Sequence, residues 1–126
     1  MVIIDTHTLL WFMFDDSKLP EKALSRIKTD DRVYVSIASL WEIAIKQSLG
    51  KLEIKNSVQE IAKKCSEANI DIMPIVPKHL DCIKELPGIH NDPFDRLIIA
   101  QAITENMSLI TKDSIIPKYN INTIWE

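Results

Sequence analysis

The sequence predicts an α/β fold, a central, mostly parallel sheet of four to five strands flanked by helices. Two observations carry that prediction. Short runs of β-branched and aliphatic residues lack the in–out alternation of a half-exposed sheet, as strands covered on both faces do. Between them lie stretches whose apolar residues recur at helical spacing, so strand and helix alternate along the chain.

Val2-Ile3-Ile4 is the first strand and ends on Asp5. Thr8 to Phe14 is apolar nearly all round and reads as a short buried helix, closed by the polar turn Asp15-Asp16-Ser17. A second helix runs from Glu21 to about Lys28, with Pro20 near its first turn. Arg32 to Ser36 is the second strand. Ser39 then starts a helix, Leu40 to about Leu49, that Gly50 stops. Val58, Ile61, Ala62, Cys65 and Ala68 mark a helix over 58–68. Asn69 to Val76 is extended, and His79 to Leu86 is helical until Pro87-Gly88 ends it. Asp92-Pro93 opens a helix that runs to about Glu105; Ser108 to Thr111 and Ile121 to Trp125 are the last two strands. No repeat or shift in composition marks a second domain, and 126 residues suit one.

Hydrophobic residues make up 46% of the chain and charged residues 26%, which excludes a disordered or fibrous protein. A net charge of −3 argues against a protein that holds nucleic acid through a global basic field. The clusters Lys46, Lys51, Lys55 and Lys63, Lys64 read as solvated helix faces. Cys65 and Cys82 have no metal-ligand spacing and read as reduced, packed thiols. With no basic n-region and no long apolar run, a soluble cytoplasmic protein without a membrane span is expected.

Four acids occupy matching places. Asp5 follows the first strand, Glu42 lies early in the helix after the second, Asp95 in the first turn after Asp92, and Asp113 just beyond the fourth strand. In a parallel sheet the carboxyl ends of the strands share one edge, where helix N-termini also point, and sites form there. Carboxylates gathered at that edge repel unless a hard cation joins them, and oxygen ligands suit Mg²⁺ or Mn²⁺. Such a site serves phosphodiester hydrolysis. Each acid also has a structural explanation. Ser39-Leu-Trp-Glu42 matches a capping box, Asp92-Pro-Phe-Asp95 a helix start, and Asp113 and Asp5 could close turns.

Four ordered strings resemble the PIN-domain family, and within it the VapC-type toxins: Ile4-Asp-Thr-His-Thr-Leu-Leu-Trp11, Ser36-Ile-Ala-Ser-Leu-Trp-Glu-Ile-Ala-Ile-Lys46 with Leu49-Gly-Lys-Leu52, His90-Asn-Asp-Pro-Phe-Asp-Arg-Leu-Ile-Ile-Ala-Gln-Ala102, and Leu109-Ile-Thr-Lys-Asp113. The resemblance spans essentially the whole chain. It implies a PIN fold and a Mg²⁺- or Mn²⁺-dependent endoribonuclease, with Asp5, Glu42, Asp95 and Asp113 as metal-binding acids. Asp92 is the other candidate for the third position; Asp95 is preferred because it keeps the family's spacing to Ala100 and Ala102. Thr6, Ser36, Ser39 and Arg96 are expected beside the acids, touching water, a carboxylate or RNA phosphate, and for Ser36 and Ser39 helix capping is the other reading. The resemblance further implies a homodimer, an RNA substrate and a cognate antitoxin whose tail wraps the toxin.

His7 is not expected to be a ligand, and His79 and His90 are expected in loops or at the surface. Trp11, Phe12 and Phe14 read as core or dimer interface, and Trp41 as packing behind the site. The rival functions are a catalytically silent PIN domain serving as an assembly module, and a phosphohydrolase. The second lacks the further acid that an Asp-x-Asp motif would need at His7.

Overall fold

A computed structural model describes residues 1–126. Its elements are β1 (Val2–Ile4), α1 (Thr6–Met13), α2 (Glu21–Thr29), β2 (Val33–Ser36), α3 (Ile37–Ser48), α4 (Val58–Glu67), β3 (Ile70–Met73), α5 (Pro77–Glu85), α6 (Pro93–Thr104), β4 (Ser108–Ile110) and β5 (Thr123–Ile124). A 3₁₀ turn at Ile116–Lys118 was not foreseen in the sequence. The five strands form one sheet in the order β3-β2-β1-β4-β5, and every pairing is parallel. Ile4 stands opposite both Val35 and Ile110, so three strands end level with one another.

The missing alternation now has its physical cause. Val2 and Ile4 pack into a core with Leu9, Ile43, Ile61 and Cys65 on one face of the sheet. Ile3, between them, packs on the other with Ile98, Ile99, Leu109 and Ile116. Both faces are covered, so every β1 position must be apolar, and all three residues are fully buried. Each such aliphatic side chain contributes about 1.5–3 kcal/mol through its removal from water.

Several boundaries differ from expectation. Helix α1 begins at Thr6, two residues early, because the Asp5 carboxylate accepts the Thr8 N–H and serves as N-cap. Helix α3 begins at Ile37, capped by Ser36, whose hydroxyl accepts the Ala38 N–H at 3.0 Å. Ser39 is therefore not a cap, and Glu42 lies in the second turn, too far along for a capping box. Helix α3 does end as expected, with Gly50 at a φ of 69°. Helix α5 starts at Pro77, so His79 belongs to its first turn rather than to a loop. That imidazole is buried: Nδ1 accepts the Val76 N–H at 3.1 Å and Nε2 lies 2.8 Å from the Glu105 carboxylate, tying the start of α5 to the end of α6. Cys65 and Cys82 are free thiols. No helix is long and apolar enough to cross a membrane.

Candidate functional site

The chain turns from strand into helix or loop at the common carboxyl edge, and there the sheet opens into a cavity of about 510 Å³. Its wall includes Asp5, Glu42, Asp92, Asp95 and Asp113, and its one apolar member is Trp11. A larger hollow of about 880 Å³ lies at the opposite edge, near Asp30, Asp31 and Asp71. Two of those acids are already paired, Asp30 with the Met1 amino group and Arg26, and Asp71 with Arg32. The smaller cavity gathers five carboxylates, two of them buried, and is taken as the site.

Asp5 sits at the end of the central strand, 6% exposed. One carboxylate oxygen accepts from the Thr8 hydroxyl at 2.6 Å and the Thr8 N–H at 3.0 Å, and the other from the Thr111 hydroxyl. Burial raises its pKa, and the Thr111 and Thr8 donors oppose that rise. Glu42 reaches the pocket from α3. Its Oε1 is 2.7 Å from the Thr6 hydroxyl and its Oε2 is 2.8 Å from Lys46 Nζ, one helical turn on. Thr6 Oγ1 is also 2.9 Å from Ser39 Oγ. A hydroxyl has one hydrogen; with the Thr6 hydrogen given to the carboxylate, Ser39 donates to Thr6 and a chain Ser39–Thr6–Glu42 results.

Asp92 is the N-cap of α6, accepting the N–H groups of Phe94 and Asp95 at 2.8 and 3.3 Å. Asp95, one turn in, faces the cavity. Burial and the Asp92 charge push its pKa up to about 7, His90 pulls it back, and Asp5 and Asp113 add to the rise. Asp113 works with both oxygens. Oδ1 accepts the N–H groups of Ile115 and Ile116 at 2.7 and 3.1 Å, so it does close a turn, and Oδ2 faces His90. Partial burial works against its charge, but His90 and the two N–H groups outweigh it and hold the pKa below the usual carboxylate range.

Thus Asp5, Glu42, Asp92, Asp95 and Asp113 are brought together, with Thr6 and Ser39 behind Glu42. Arg96 is not. Its guanidinium turns away to the end of α5 and the loop after it, donating to the carbonyls of Pro87 (2.9 Å) and Ile83 (3.2 Å). His90 lies in a loop, as expected, but is not at the surface. It is 8% exposed and lies within hydrogen-bond reach of Asp95 and Asp113. Trp41 does not pack behind the site: it is 58% exposed, with its ring edge-on to Phe94 at 5.2 Å. Trp11 and Phe12 are partly buried against the main core, while Phe14 is exposed. Lys46 and Lys112 line the cavity as well, and Lys112 Nζ rests 5.3 Å from the Trp11 ring centre. His7 lines the wall too, without a short contact to any carboxylate.

The model of the PIN domain family matches residues 2–122. The chain belongs to the PIN domain family. Among characterised members it is similar to ribonuclease VapC22 of Mycobacterium tuberculosis, 27% identical over 113 residues, which cover 89% of this chain and 86% of that protein. Among solved structures, the PIN fold seen here superposes on VapBC2 from Rickettsia felis, bound to a promoter DNA fragment, with a TM-score of 0.71 at 18% identity and full coverage of both chains. DNA-bound VapBC from Salmonella typhimurium gives 0.70 at 15% identity, and FitAcB from Neisseria gonorrhoeae 0.68 at 13%, each over 98% of this chain and 96% of the other. At such identities these likenesses show the fold.

Proposed function

We propose that this PIN domain is a VapC-type toxin, an endoribonuclease that uses Mg²⁺ or Mn²⁺ and is restrained by a cognate antitoxin. The reading rests above all on one observation: buried and half-buried carboxylates from four separate segments meet in a cavity whose wall has a single apolar residue, Trp11. The named activity of the Mycobacterium relative and the toxin–antitoxin composition of the structural neighbours support it. A single PIN domain over the chain, paired as a homodimer, completes the proposal.

The donors fit a hard divalent cation. Asp5, Asp95 and Asp113 offer oxygen, and without an ion burial and mutual repulsion hold Asp95 at about 7, a cost that a cation removes. Asp5, Glu42, Asp95 and Asp113 would hold it. What such an ion supplies when bound is Lewis acidity, which orients and acidifies water for in-line attack and offsets charge on the leaving oxygen. The protein supplies fixed positions. Thr8 and Thr111 lock both oxygens of Asp5, and the Ser39–Thr6 chain with Lys46 locks both of Glu42. Lys46 and Lys112 on the cavity wall are placed to attract an RNA phosphate.

The test is Asp5→Asn, which keeps the shape and removes the charge. With saturating Mn²⁺ the variant should lose RNA cleavage by at least about a hundredfold, as loss of a group acting in the transition state implies. Cleavage at the wild-type rate would refute the site. The silent-module reading predicts instead that Mn²⁺ leaves the melting temperature of the native chain unchanged.

A further inference from the structure

His90 stands in the cavity wall, and every polar atom of the residue is engaged. Its backbone N–H donates to the Tyr119 hydroxyl at 2.7 Å, and its carbonyl accepts from Arg96 at 3.4 Å. The same Tyr119 hydroxyl donates to the Pro87 carbonyl at 2.9 Å, so the loop before α6 is fixed from both sides. Within the ring, Nδ1 accepts the Asp92 N–H at 3.1 Å. Nε2 lies 3.0 Å from Asp113 Oδ2 and 3.1 Å from Asp95 Oδ2.

These contacts assign the tautomer. A nitrogen that accepts an N–H needs its lone pair, so Nδ1 carries no hydrogen and the ring hydrogen is on Nε2. That hydrogen points between two carboxylates, each within bonding distance. His90, Asp95 and Asp113 also have the spacing of a three-residue metal group, with ligand atoms within 4.8 Å of one another. The tautomer argues against that use. A histidine that binds metal through one nitrogen donates the hydrogen on the other to a carboxylate or carbonyl. Here the other nitrogen faces a donor, the N–H of the residue that caps α6.

We propose that His90 is a positioning residue and not a metal ligand: one Nε2–H holds the Oδ2 atoms of Asp95 and Asp113 side by side and aims the pair into the cavity. The proposal deepens the ribonuclease reading, on which it rests for the role of those two acids. Asp95 belongs to a helix and Asp113 to a loop after β4, and His90 is the side chain that touches both. Without it no side-chain N–H lies between the two carboxylates.

The native chain gives the first measurement. In ¹⁵N-labelled protein freed of metal, long-range ring correlations should show the His90 hydrogen on Nε2, and added Mg²⁺ should leave it there. A hydrogen on Nδ1, or loss of the Nε2 hydrogen when Mg²⁺ binds, would overturn the proposal. Variants give the second. Gln can place an amide N–H where Nε2–H stands, whereas Asn reaches only the Nδ1 position. His90→Ala and His90→Asn should weaken Mn²⁺ binding by about ten- to a hundredfold, the usual cost of losing a residue that orients ligands, and His90→Gln should restore most of it. An equal loss in all three, or none in any, counts against the proposal. Mn²⁺ binding is read without RNA, so a chain that binds the ion as described yet cleaves no RNA refutes the ribonuclease reading alone.

Discussion

Thr111 shows how much a single hydroxyl contributes at the site. It donates to the Asp5 carboxylate and accepts the Asp113 N–H at 3.0 Å, linking the first acid to the fourth. Thr111→Val keeps the shape and removes both bonds, so it is expected to cost about 1–3 kcal/mol in urea denaturation, and Thr111→Ser to recover most of that. Asp95 makes the metal-free protein sensitive to pH. Its folded pKa of about 7 lies above the 3.8 of an ordinary aspartate, so the folded state binds the proton more tightly than the unfolded chain. The stability this proton contributes is fully present below the unfolded value and is lost as pH rises through about 7. Buried Asp5, also raised, acts with the same sign. Melts of chelator-treated protein should therefore shift downward between about pH 5 and pH 8, and Asp95→Asn should flatten part of the slope. A melt that rose over that interval would contradict the burial argument.

Helix α3 separates two serines that look alike in the sequence. Ser36 caps it, and Ser39 feeds the Thr6–Glu42 chain from its first turn. Ser36→Ala is expected to cost about 1 kcal/mol while the folded fraction keeps its activity. Ser39→Ala should leave the unfolding midpoint closer to wild type and lower cleavage, because Thr6 then lacks its partner. The same helix shows what was legible in the sequence. The motif Ser39-Leu-Trp-Glu42 satisfies a capping rule by residue type, and an equally good cap three residues earlier displaces it, which strand–helix docking decides. Asp92 as a cap and Gly50 as a stop announced themselves because end-of-element chemistry is local, whereas Asp5 was legible as a strand-end acid but not as the cap of α1. His90 and Arg96 were misread because their partners, Asp113, Tyr119 and the end of α5, are distant in sequence and reach them only through the fold. Trp41 was misread because exposure is a property of the packed chain. The strand and helix kinds, by contrast, were all present in the periodicity.

Across the whole molecule, the sheet order places the first strand at the centre, between β2 and a β4 that lies near the end of the chain. The carboxylate of Asp5 takes one of its donors from Thr111, 106 positions later, and Asp113 follows. A ribosome adds about 5–20 residues each second, so on the order of 5 to 20 s separates the two ends of that bond during synthesis. Until β4 has been made the central strand can have at most β2 beside it, and Asp5 lacks its Thr111 donor. Ribosome-held chains that stop before Ser108 should accordingly be cut readily by added protease, and chains extended past Ile124 and clear of the exit tunnel should resist. If the domain is the ribonuclease proposed above, a chain that still lacks β4 and Thr111 has no assembled site with which to cut RNA. On that reading the machinery that produces the chain stays safe until the fourth strand has been joined, and a restraining partner has to reach only chains that have passed that point.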